Sequence, residues 1–189
     1  MQNFLKYIQS IANISDTSWQ FLLPALSTTR LEKGAFLLKE NQVCDALFFI
    51  ETGFCRSFYN KDGEEKNTAF HFENEVVTNM NSFGTGEKSA YNIQACEPTS
   101  IIIVDKLKLI EASKHAPEIE TVGKKCLRLT ASKLEEHASL FKLYSPQERY
   151  EYLESNHPQI LQRVSLTQLS SYLGIARETL SRIRSRRTN

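Results

Sequence analysis

No CxxC pair occurs in this sequence. Its four cysteines, Cys44, Cys55, Cys96 and Cys126, stand 11, 41 and 30 residues apart, which excludes the ligand spacing of zinc ribbons and iron–sulfur clusters. A chain of 189 residues builds its own core and has no need of a disulfide scaffold, so buried, inert thiols are expected. No apolar run approaches the roughly 20 residues that span a bilayer. The start, Met-Gln-Asn-Phe-Leu-Lys, lacks a basic region, a long apolar stretch and a small-residue cleavage site. A cytoplasmic protein with no membrane partner is expected. Glycine and proline are scarce, at 7 and 5 residues, excluding collagen-like and linker-rich chains. The four histidines, His71, His115, His137 and His157, never pair at metal-ligand spacing. No G-x-S-x-G, P-loop or paired-carboxylate signature occurs. Neither a metal site nor an enzyme is expected.

What is present is ordinary globular composition, with 41% hydrophobic and 24% charged residues, enough for one or two domains. The net charge of +1 conceals an asymmetry. Residues 160–189 hold six arginines against one acid, Glu178, which leaves the preceding chain at −4. A basic end on a slightly acidic body points to an anionic partner.

The first 30 residues read as helical, with Phe4, Leu5, Ile8 and Ile11 on one face and a second short helix capped by Ser15 or Asp16. From Leu31 to about Asp105 the period changes to short strands: Ala35–Leu38, Ala46–Ile50, Phe54–Tyr59, Thr68–Phe72, Glu75–Val77, Tyr91–Ala95 and Ser100–Val104. Asn60-Lys61-Asp62-Gly63 is a hairpin signal, because glycine accepts positive φ without steric cost. Regular short strands predict a small antiparallel barrel or roll.

After Pro117 a helical period runs to Tyr144. Ile119, Val122, Cys126, Leu129, Lys133, His137 and Leu140 step by three and four, and Leu127, Leu134 and Ala138 form a second flank. About 25 helical residues reach nearly 40 Å, more than one small roll covers. The simplest partner is the same helix of a second copy, with Ile119, Val122, Cys126, Leu129 and Lys133 at the dimer interface. A helix folded back on its own domain is the alternative. Ser145-Pro146 starts the next helix, Gln147–Ser155, and Asn156-His157-Pro158 is a further break.

Residues 165–184 carry the strongest motif. Ser165 and Gln168 form a capping-box pattern, Gly174 suits a left-handed turn, and Ser170 is small where two helices approach. Leu166, Leu169, Leu173, Ile175, Leu180 and Ile183 supply the apolar set of a helix-turn-helix. On the second helix Ala176, Leu180 and Ile183 face inward, while Arg177, Glu178, Ser181 and Arg182 form an outward stripe. Arginine pairs bidentately with guanine and glutamate accepts from cytosine, so Arg177, Glu178 and Arg182 are expected to meet bases. Ser165, Thr179, Ser181, Arg184, Arg186 and Arg187 are expected nearer the phosphates. A plain helical hairpin with a solvated charged face is the competing reading.

Lys33-Gly34-Ala35-Phe36-Leu37, Phe49-Ile50-Glu51-Thr52-Gly53 and Leu173-Gly174-Ile175-Ala176-Arg177-Glu178-Thr179-Leu180-Ser181-Arg182 resemble the pattern of the CRP/FNR family of bacterial transcription regulators. The resemblance covers the whole chain. It implies an α+β protein with an N-terminal antiparallel β-roll (a double-stranded β-helix of the cyclic-nucleotide-binding type) over residues 1–115. A long dimerisation helix over 116–144 and a C-terminal helix-turn-helix DNA-binding domain over 145–189 would complete the chain. It further implies a homodimer acting on double-stranded DNA and RNA polymerase, with Arg177, Glu178 and Arg182 reading bases. The family often has Ser or Thr where Ala176 stands, and the seven residues after Arg182 leave no room for the wing hairpin of longer members.

Cyclic-nucleotide binders of the family place Gly-Glu, a short helix and then Arg-Ser around the cyclic phosphate and ribose. Here Gly86-Glu87 runs straight into Lys88-Ser89, with no room for the helix between. Lys88 and Ser89 best match the Arg-Ser pair, leaving the glutamate position without an acid. Lysine is a point charge without the planar fork of arginine. The effector is therefore open, with Lys88 and Ser89 as the candidate pocket residues, no cofactor expected, and cyclic AMP disfavoured. A cyclic-nucleotide- or other ligand-responsive regulator of the same architecture remains an alternative. A cupin-type metalloenzyme would need two or three histidines in the roll, which holds His71 alone. A ligand-binding adaptor without sequence-specific DNA contact is the other alternative.

Overall fold

The computed structural model describes residues 1–185. Two amphipathic helices open the chain, α1 (Gln2–Ile11) and α2 (Asp16–Leu22). Ser15 caps α2 by accepting from the Ser18 N–H at 3.2 Å, and Glu118 accepts from both the N–H and the hydroxyl of Ser15. The strands among the described residues are β1 (Leu26–Leu31), β2 (Phe36–Leu38), β3 (Ala46–Thr52), β4 (Cys55–Lys61), β5 (Glu64–His71), β6 (Val76–Val77), β7 (Asn92–Ala95) and β8 (Thr99–Asp105). They form two four-stranded sheets, ordered β1-β8-β3-β6 and β2-β7-β4-β5. The expected antiparallel roll is present. The β4–β5 hairpin turns at Asp62 and Gly63, both with positive φ, as a two-residue turn matched to strand twist requires.

β1 escapes the sequence pattern. Its Leu-Ser-Thr-Thr-Arg-Leu is mostly polar, yet it pairs antiparallel with β8 from Leu26↔Val104 to Leu31↔Thr99. A neighbour rich in isoleucine, not the segment's own hydrophobicity, makes it a strand. Gly53, between β3 and β4, has φ 86°. A Cβ there would lie 2.5 Å from Thr99 Oγ1, so the position needs glycine for conformation and for space.

The chain divides into two compact units, one comprising Met1–Ser57 and Phe70–Thr130, the other Phe58–Ala69 and the chain from Ala131 onward. In the first unit, the roll's interior holds Leu38, Cys44, Phe48, Ile50, Cys55, Ile93 and Ile101. A second apolar cluster joins Phe4, Ile8 and Leu22 to Phe49 and Ile102, to Ala112 of α4 (Lys106–His115), and to Ile119 and Val122 of α5 (Pro117–Leu143). Cys126 packs at the edge of that cluster, 3.9 Å from the Tyr7 hydroxyl. Burial pushes the Tyr7 hydroxyl and the Cys126 thiol above their ordinary pKa values.

Two residues of the expected dimer seam lie within this cluster. Ile119 and Val122 are 4% and 8% exposed, already covered by α1 and α4 of their own chain. The apolar positions that the middle of α5 leaves to solvent are Leu127, Leu129 and Leu134, at 53%, 45% and 65% exposure. Lys133 is exposed as well.

In the second unit α6 (Pro146–Asn156), α7 (Pro158–Arg163), α8 (Leu166–Leu173) and α9 (Arg177–Ser185) enclose Leu153, Ile160, Val164, Leu169, Tyr172, Leu173 and Leu180. Ser145 and Glu148 make a full capping box at α6, while Pro146 and Pro158 occupy first-turn positions where no donor is lost.

Candidate nucleic-acid interface

The turn between α8 and α9 is built as the residue types demand. Gly174 has φ 68°. Its N–H donates to the Ser171 carbonyl at 3.3 Å, and the Ile175 N–H donates to the Ser170 carbonyl at 3.1 Å. These two bonds close a Schellman motif, which satisfies carbonyls that the end of α8 would otherwise leave open. At the other end Ser165 accepts from the Gln168 N–H at 3.3 Å. The Gln168 side chain does not complete the expected box; its Oε1 instead accepts from the Ser165 hydroxyl at 3.1 Å.

On α9, Leu180 is fully buried and Ile183 half-buried, whereas Arg177, Glu178, Ser181, Arg182 and Arg184 are all exposed. The helix period thus separates an anchoring face from a charged one. Thr179 lies between them and accepts from Arg182 Nη2 at 3.3 Å, which orients that guanidinium along the helix. Glu178 occupies the first turn, with Arg182 and Arg184 in the last, so the charges complement the helix dipole. Ala176, expected on the inward face, is exposed just ahead of the helix. It cannot cap α9 with a side chain. Arg186 and Arg187 lie outside the described residues.

Two residues that the sequence pattern did not mark also shape this unit. The Ser171 hydroxyl, on α8, donates to the Glu65 carbonyl at 2.8 Å and accepts from the Asn67 N–H at 3.0 Å. It thereby engages two backbone groups of β5. Arg149, on α6, reaches the ends of two helices. No periodicity announces the Ser171 contacts or the Arg149 contact to the end of α8, because they depend on segments outside the local helix.

The roll's cassette differs from the expectation. A short helix does intervene, but upstream: α3 (Met80–Thr85) ends at Gly86 with φ 79°. The pair preceding it is Thr78-Asn79, not Gly86-Glu87. Asn79 caps α3 by accepting from the Ser82 N–H at 3.1 Å, and its Nδ2 donates to Ser89 Oγ at 2.8 Å. The Ser89 hydroxyl donates to the Tyr91 carbonyl at 2.6 Å and is 2% exposed. Lys88 is exposed. The two candidate pocket residues are therefore split between solvent and a buried polar network. His71 is held by Ser57, 2.9 Å from its Nε2, and by Glu75. Among the described residues no group of three metal-ligating side chains occurs.

Comparison with known proteins agrees with this architecture. Residues 28–115 match the cyclic nucleotide-binding domain family. The transcriptional activator protein Anr of Pseudomonas aeruginosa is 26% identical over 168 residues, 81% of this chain and 67% of that protein. The chain is similar to transcriptional activators over most of its length. The transcriptional activator FnrA of Stutzerimonas stutzeri is 25% identical over the same span. Among solved structures, the CRP/FNR-type fold recurs in the c-di-GMP-responsive regulator CLP of Xanthomonas campestris, with a TM-score of 0.72 at 14% identity over 92% of each chain. FixK2 of Bradyrhizobium japonicum gives 0.67 at 22% identity, covering 85% of this chain and 83% of that one. No helix among the described residues is long and apolar enough to cross a membrane.

Proposed function

We propose that this chain is a transcription regulator of the CRP/FNR type, and that it acts as a homodimer that binds double-stranded DNA in a sequence-specific way. The observation that carries the reading is the division of α9. Leu180 is sealed in the core, while the adjacent Arg177 and Glu178, and Arg182 one helical turn further on, stand in solvent. A helix entering the major groove presents that face to base edges. Ser165, Thr179, Ser181 and Arg184, with Arg186 and Arg187 beyond the described residues, would contact phosphates. The dimer forms along Leu127 and Leu134, seven residues apart and thus on one face of α5. Two exposed leucines in that register form a seam for a second copy of the helix. The relatives named as transcriptional activators support RNA polymerase as a further partner and the bacterial cytoplasm as the site of action.

The same reading gives the roll no cyclic nucleotide. The position ahead of α3 holds Asn79 instead of an acid, and its amide is already bonded to Ser89. Another anion, an apolar effector or no effector is left for the roll.

The test is selection of duplexes from a random pool by the purified chain, with titration of the selected and a scrambled duplex at several salt concentrations. Sequence-specific binding enriches a near-palindromic site with half-sites about one helical turn apart. Equal affinity for both duplexes would leave an adaptor without base readout.

A further inference from the structure

We propose that Arg149 is a positioning residue for the recognition helix: its guanidinium ties the C-terminal end of α5 to the C-terminal end of α8, and thereby sets the turn from which α9 departs. The proposal rests on the DNA-binding reading above and adds a residue that lies on α6, outside the helix-turn-helix pair.

The geometry is specific. Arg149 Nε donates to the Tyr144 carbonyl at 3.0 Å, Nη2 to the Phe141 carbonyl at 3.3 Å, and Nη1 to the Leu173 carbonyl at 3.0 Å. Phe141 is in the last turn of α5, Tyr144 directly succeeds that helix, and Leu173 is the last residue of α8. The final carbonyls of a helix have no intrahelical donors, and they carry the negative end of its dipole. One cation therefore serves two such ends, with three donors used on three separate acceptors. The guanidinium also lies over the Phe141 ring, 4.6 Å from its centroid, so its plane is held by stacking as well as by hydrogen bonds.

Leu173 matters because it leads directly into the turn. Gly174, Ile175 and Ala176 form that turn, and α9 begins at Arg177. The Schellman bonds satisfy the carbonyls of Ser170 and Ser171 but not that of Leu173, the one nearest the turn. Arg149 supplies that donor. Lysine at this position could keep the charge yet could not reach three carbonyls in one plane, because its three donors radiate from a single atom.

The experiment compares Arg149→Lys and Arg149→Gln with the unmodified chain. Backbone hydrogen exchange, read on peptides spanning residues 173–180, reports the turn directly. Affinity for the selected and the scrambled duplex reports the consequence. The expected result is faster exchange in that peptide in both variants, unchanged exchange in β3 and β8, and a loss of about tenfold in the ratio of selected to scrambled affinity. Measurements well below each variant's melting temperature separate positioning from unfolding, and Arg149→Lys, which keeps the charge, remains informative if Arg149→Gln does not fold. Unchanged exchange at 173–180 in Arg149→Lys would overturn the proposal, as would a lowered melting temperature with an unaltered affinity ratio. If the unmodified chain shows no preference between duplexes, the DNA reading fails on its own, and the exchange measurement still decides the role of Arg149.

Discussion

Asn79 Nδ2 donates to Ser89 Oγ at 2.8 Å, and both side chains are buried, at 5% and 2% exposure. The bond joins the head of α3 to the segment beyond its C-terminal end, across the stretch that the family resemblance matches to the cyclic-nucleotide cassette. The Asn79 amide caps the helix with its oxygen and reaches Ser89 with its nitrogen, so a ligand would have to displace a satisfied buried pair. Breaking such a pair leaves unsatisfied polar atoms at a cost of about 1–3 kcal/mol.

This gives a thermal-shift prediction. Cyclic AMP, cyclic GMP and cyclic di-GMP, each at millimolar concentration, should leave the melting temperature unchanged. A ligand present at 100 times its dissociation constant would stabilise the protein by about 2.7 kcal/mol, so a clear shift with any of the three would show that the network opens for a nucleotide.

A second prediction concerns the dimer. Leu127→Lys together with Leu134→Lys should give monomers by sedimentation while leaving the melting temperature of the roll nearly unchanged, because both residues are exposed in the single chain. Val122→Ala behaves in the opposite way. Val122 belongs to the apolar cluster that its own chain builds with α1 and α4, so its truncation should lower stability by about 1–2 kcal/mol without changing the association state. A monomeric unmodified chain at micromolar concentration would sink the proposed seam.

Arginines on α9 should separate into two classes. Arg177→Ala and Arg182→Ala should each cost about 1–3 kcal/mol per half-site and relax discrimination at particular base pairs. Arg184→Ala should weaken binding to all duplexes alike and lower the salt slope by about one. Titration at several salt concentrations distinguishes them. Equal losses for Arg177→Ala on selected and scrambled DNA would remove the base-reading assignment.

His137 predicts a pH dependence of stability. Its ring packs 4.7 Å from Phe141 and 5.4 Å from Tyr172 between centroids, and its Nε2 is buried with no hydrogen-bond partner. Burial lowers its pKa below the ordinary 6.5. Below pH 6.5 the unfolded chain takes up a proton that the folded chain resists, so the stabilisation present above that pH is lost as pH falls through the folded value. Melting temperatures measured from pH 7.5 down to 5 should fall less steeply in His137→Phe than in the unmodified chain. An identical slope in the two would assign the acid sensitivity elsewhere.

Local chemistry alone was enough for a good part of this architecture. Asp62-Gly63 specifies its hairpin turn, Ser145-Pro146 with Glu148 starts α6, and Gly174 between two leucine-patterned helices specifies the helix-turn-helix, because each depends on a few adjacent residues. The outward stripe of Arg177, Glu178, Ser181 and Arg182 arises from helix periodicity in the same way. Tertiary structure decided the rest. β1 is a strand because β8 lies beside it, and α3 lies ahead of Gly86 because Asn79, Ser82 and Ser89 bond across the cassette. Ile119 and Val122 carry the same helical period as Leu127 and Leu134, but only the packing of α1 and α4 shows which pair its own chain covers. The Arg149 bond to Leu173 and the Ser171 bonds to β5 have no sequence signature, since those partners lie 24 and about 105 residues away. Periodicity tells which residues share a face; the partner that each face meets is set by contacts between segments distant in the chain.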